Sequence, residues 1–144
     1  MLSVLLIWLY MLFTCYVTGF ACIRGILGKK NFRCKREISY LFAGIGAVTV
    51  YAQFFSIFGK VGLAANLLLL LICGASTALF GKEMAEGLGA LLRTITPLKA
   101  AVVAALLLLF AYGTSTGILH YDTALYHAQS IRWIEEYGVV PGLG

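Results

Sequence analysis

Residues 61–80, "VGLAANLLLLLICGASTALF", hold no charged residue. A helix needs about 20 apolar residues to cross roughly 30 Å of hydrocarbon with its backbone hydrogen bonds satisfied internally. This stretch meets that length, and its only strongly polar side chain is Asn66. Three further runs match it, at residues 1–23, 38–58 and 100–119. The chain is 61% hydrophobic and 12% charged, against about 25% charged in soluble domains. The expected class is an all-α membrane protein with four transmembrane helices.

Residues 1–23 exceed the usual 7 to 15 residue apolar core of a signal peptide and lack a basic segment before it. They read as a retained anchor. The net charge of +5 is no sign of nucleic-acid binding. Arg24, Lys29, Lys30, Arg33, Lys35 and Arg36 share one short connection, 24–37, where only Glu37 opposes them. Basic loops between spans are retained on the cytoplasmic side. Alternation then puts the N-terminus outside, the turn Gly59-Lys60 outside, residues 81–99 in the cytoplasm and residues 120–144 outside.

Polar groups in the spans include Gln53, Asn66, Thr114, Ser115 and Thr116. Hydrogen bonds between helices are their expected use. Ala43 with Ala47, and Gly74 with Ala78, have the small-xxx-small spacing that lets helices approach. Cys15, Cys22, Cys34 and Cys73 show no metal or disulfide spacing and read as small hydrophobes. In residues 81–99, Met84, Leu88, Leu91 and Ile95 recur at helical spacing. They predict an amphipathic helix on the inner membrane surface, with Pro97 separating it from the fourth span.

Polar chemistry concentrates at the end, in "HYDTALYHAQSIRWIEEYGVVPGLG", residues 120–144. Asp122 suits the N-cap of a helix over about 123–137, and Gly138 a Schellman-type stop reinforced by Pro141. Leu125, Ala128, Ile131 and Ile134 would form its apolar stripe, with Trp133 as an interface anchor. The helix is expected to lie parallel to the membrane on its outer side.

Three chemistries fit these residues unequally. His120, Asp122 and His127 could ligate a metal, but HxDx4H matches no strong zinc spacing. Ser130 has no base arranged for nucleophilic catalysis. A carboxylate acting as general base, beside a cation for a phosphate, fits best.

The pattern DxxxYHxxxIxWIxxYGxVPGL, in residues 122–143, resembles the first external loop of GT-C-type integral-membrane glycosyltransferases, and in particular a bacterial multi-pass family. These take sugar from a polyprenyl-phosphate carrier. The resemblance implies Asp122 as the catalytic carboxylate that takes the acceptor's proton, with weaker substrate-binding roles for Tyr126, His127, Arg132 and Trp133. It also implies a bacterial inner-membrane location and a divalent metal as one means of stabilising the leaving phosphate, although no residues are assigned as its ligands. In that class the aspartate loop commonly follows the first span, and here it follows the fourth. The class also carries many further spans, so the chain is expected to be the N-terminal part of a longer enzyme, inactive alone. The competing expectation is a small four-span structural or assembly protein with no enzymatic activity, whose outer helix docks a partner and whose spans can meet partner membrane helices.

Overall fold

The computed structural model describes residues 1–27, 37–115, 122 and 126–139. Among them are five α-helices and no strand: α1 (Leu2–Leu27), α2 (Ile38–Phe58), α3 (Leu63–Leu92), α4 (Pro97–Ser115) and α5 (Ala128–Glu136). The first four are long and apolar enough to cross a membrane. The basic segment 28–36, Thr116 and the residues after Val139 lie outside the described residues.

α1 is the hub on which α2, α3 and α4 pack. Lipid is as apolar as leucine, so helices associate in a membrane through close packing and polar contacts. α1 and α2 show the first of these. A methyl group on Gly19 would overlap the Tyr40 carbonyl of α2, and one on Gly44 would overlap the backbone of Cys15. The close face of α2 is therefore Tyr40 and Gly44. The Ala43/Ala47 pair is only partly buried, and Gly74 and Ala78 of α3 are exposed. Alanine and glycine at spacing four permit contact, but only the residue facing the neighbour makes it.

Beside this contact lies the core. Phe20 and Tyr40 pack as tilted rings with centroids 4.8 Å apart, Tyr16 meets Tyr40 edge-on at 6.0 Å, and Phe80 of α3 lies 6.0 Å from Phe20. Leu69, Cys73 and Met84 complete it from α3. Cys15 and Cys73 are buried, as expected of small hydrophobes, whereas Cys22 is exposed.

Polar contacts tie the helices together. The Tyr10 hydroxyl donates to Asn66 Oδ1 at 2.8 Å, and the Tyr51 hydroxyl donates to the Ala65 carbonyl at 2.6 Å. Tyr16 donates to Glu37 Oε2 at 2.8 Å. Thr114 and Ser115, expected to bond between helices, instead donate to carbonyls of their own helix, those of Phe110 and Tyr112.

Two boundaries differ from the sequence reading. Residues 81–92 do not form a separate surface helix; they continue α3 without a break. Met84 is core, 5% exposed, and Arg24 at the end of α1 forms an ion pair with Glu83 at 2.8 Å. Leu88 and Leu91 line an apolar groove of about 550 Å³ together with Leu9, Leu12 and Tyr16. Ile95 falls beyond the helix, in the connection to α4. Pro97, expected as a separator, is the first residue of α4, where its missing N–H is no loss. Thr96 caps that end, its carbonyl accepting the Ala100 N–H at 3.0 Å and its hydroxyl the Lys99 N–H at 3.4 Å.

Candidate functional site

The polar residues singled out by sequence fall in and just before α5. His120, Thr123, Leu125 and Pro141 lie outside the described residues. The backbone at Asp122 is helical and its side chain partly buried. The N–H groups that Asp122 would cap in a helix starting at 123 lie outside the described residues. The residue just before α5 is His127, itself helical with φ −64° and ψ −51°, and its side chain makes no cap bond. Tyr126 and His127 form a wide π-type turn leading into the helix, a feature frequent at functional sites.

The structure brings together three pairs. The Tyr126 and His127 rings lie 4.3 Å apart. Trp133 and Tyr137, one turn apart on α5, have centroids 4.8 Å apart. The Arg132 Nε donates to Glu136 Oε1 at 2.9 Å, in a pair whose side chains are 80% and 46% exposed. That carboxylate, by hydrogen bond and charge, raises the guanidinium's already high pKa further. Exposed ion pairs of this kind are weak in water and readily exchange partners. Ile131, Trp133 and Ile134 are all exposed; no side chain of α5 is buried.

What fixes α5 is backbone. At its C-terminal end Gly138 has φ +72° and donates to the Ile134 carbonyl at 3.2 Å. This is the single-bond left-handed stop rather than the Schellman pair, in which the next N–H returns to the helix. Here the Val139 N–H goes to the Ser56 carbonyl of α2 at 2.9 Å, and the Val61 N–H comes to the Ile134 carbonyl at 3.1 Å. The last four carbonyls of any helix lack an internal partner. One of those at the end of α2 is satisfied by the chain leaving α5.

Sequence reasoning missed Val61 as a backbone partner of α5, Ser56 as the partner of the chain leaving it, and Gly59, whose carbonyl lies against Gly138. Backbone groups leave no signal in side-chain type, and Gly59-Lys60 reads simply as a turn. The turn is in fact Gly59–Gly62, with α3 beginning at Leu63. Among the described residues, no three His, Cys, Asp or Glu side chains form a metal-sized group.

No curated protein and no solved structure matches the chain. A family model described as a domain of unknown function (DUF8201) matches residues 1–144, and the chain therefore belongs to that family.

Proposed function

We propose that this protein forms part of a multi-pass membrane glycosyltransferase of the bacterial inner membrane, using a polyprenyl-phosphate-linked sugar as donor. The four apolar helices lie in the bilayer. α5 lies parallel to the outer surface, with Ile131, Ile134 and Trp133 toward lipid. Asp122 takes the proton from the acceptor hydroxyl as that oxygen bonds to the anomeric carbon, and the bond from that carbon to the lipid phosphate oxygen breaks. The phosphate leaves on its polyprenyl chain. Tyr126 and Trp133 contact sugar or lipid, His127 meets the acceptor or the phosphate, and Arg132 exchanges Glu136 for the donor phosphate.

The observation that carries this reading is the attachment of α5 to the bundle at the α2–α3 turn, with His127, Arg132 and Trp133 all exposed. Chemistry on a lipid-linked donor requires polar groups held at the edge of the apolar region. A charge stabiliser must also be in position before the reaction begins.

The test is sugar transfer from a labelled polyprenyl-phosphate donor in membranes holding the protein expressed from its natural reading frame. Asp122→Asn should abolish transfer while membrane insertion is unchanged. Full activity in that variant would remove the catalytic assignment.

One observation favours the structural alternative. Within α4 only Ala111 is buried, so nearly its whole surface is open to partner helices. A membrane protein that co-purifies stoichiometrically, together with no Asp122-dependent transfer, would support that reading.

A further inference from the structure

We propose that Gly138 is a positioning residue: it closes a backbone clasp between α5 and the α2–α3 turn, and this clasp sets where Arg132 and Trp133 stand relative to the bundle. The clasp stands on geometry alone; its consequence for transfer rests on the glycosyltransferase reading.

The clasp has three parts. Val61 N–H donates to Ile134 C=O at 3.1 Å, and Val139 N–H donates to Ser56 C=O at 2.9 Å. Between them Gly138 lies buried against the turn. A methyl group there would stand 2.7 Å from the Gly59 oxygen and 2.9 Å from the Ser56 oxygen. No side chain of α5 is fully buried, so these backbone bonds are its firmest attachment to the turn.

Two demands coincide at Gly138. Its φ of +72° disfavours any side chain. Asparagine often substitutes at such a helix stop because it tolerates the left-handed region. Here asparagine fails as well, since its Cβ meets two rigid carbonyls. Gly59 is the opposite case: its φ of 177° is extended and nothing lies within 4 Å of an added Cβ. Alanine fits there and leaves its carbonyl in place.

Hydrogen exchange on the protein from its natural reading frame, in lipid nanodiscs, tests the clasp. The amides of Val61 and Val139 should exchange slowly in the wild type and in Gly59→Ala. Protection at both should be lost in Gly138→Ala and Gly138→Asn, while α1 and α2 stay protected and so report an intact bundle. Fast exchange at both amides in the wild type, or full protection in Gly138→Asn, overturns the clasp.

Kinetics test the positioning role. Opening the clasp should raise the KM for the lipid-linked donor several-fold more than it lowers kcat, and Gly59→Ala should match the wild type. An open clasp with unchanged KM overturns positioning and leaves the glycosyltransferase reading standing. Should even the wild type transfer no sugar, that reading and the positioning role fall together, and exchange still decides the clasp.

Discussion

Gly19 of α1 and Gly44 of α2 lie where the two helices approach so closely that a methyl group on either would overlap the backbone of the other helix. Helix propensity alone would make glycine to alanine favourable by about 1 kcal/mol. At Gly44 the sign should reverse, because overpacking a close contact costs about 1–3 kcal/mol. Gly46, on the same helix with open space around it, is the comparator. Gly44→Ala should lower the unfolding temperature in detergent, and Gly46→Ala should hold or raise it. Equal effects at the two positions would mean that the close approach does not carry stability.

A second polar tie joins α1 to α3 through Arg24 and Glu83. The Arg24 side chain is 10% exposed and that of Glu83 46%, so the guanidinium is largely removed from water while the carboxylate is still screened. The coupling energy should fall between that of a surface pair and that of a fully buried one, at about 1 kcal/mol. A double-mutant cycle with Arg24→Gln and Glu83→Gln, read by reversible unfolding, measures it. A coupling of zero would make the pair incidental.

Tyr10→Phe removes the hydroxyl that reaches Asn66 at 2.8 Å and leaves the ring. Hydrogen bonds between helices in membranes are worth about 0.6 kcal/mol on average, because the separated helices also find partners. The loss should be of that size, and Asn66→Ala should add little to it in the double variant. Additive losses would show that the two residues act independently.

The spans were legible because charge-free runs of membrane length have few alternatives. Their ends were less so. Lys82, Glu83 and Glu86 read as the polar face of a separate surface helix, yet α3 runs through them without a break, and Glu83 has Arg24 to meet. Pro97 marks a boundary in either reading, but only Thr96 as its cap shows that it opens α4. The small-residue pattern named Ala43 and Ala47 where Gly44 makes the contact, since the spacing recurs on adjacent faces of one helix. In the candidate site, the stop at Gly138 was legible from the left-handed conformation that glycine permits. The partner of the following N–H was not, because the Ser56 carbonyl belongs to a helix end remote in sequence.

The bond from Val61 N–H to Ile134 C=O puts the α2–α3 turn and α5 at the same end of the bundle, whichever way the protein is oriented. Lys60 in the turn and Ser130 on α5 are both exposed. Cysteines introduced at these positions, one at a time in a cysteine-free background, must therefore meet the same aqueous compartment. The proposed orientation, with the basic segment in the cytoplasm as basic loops between spans usually are, makes that compartment the outer one and is tested by reaction of both with a membrane-impermeant thiol reagent on intact cells. Reaction of both only after lysis would reverse the orientation and keep the fold. Reaction of one from outside and the other only after lysis would contradict the attachment of α5 to the turn, and with it the geometry on which the candidate site rests.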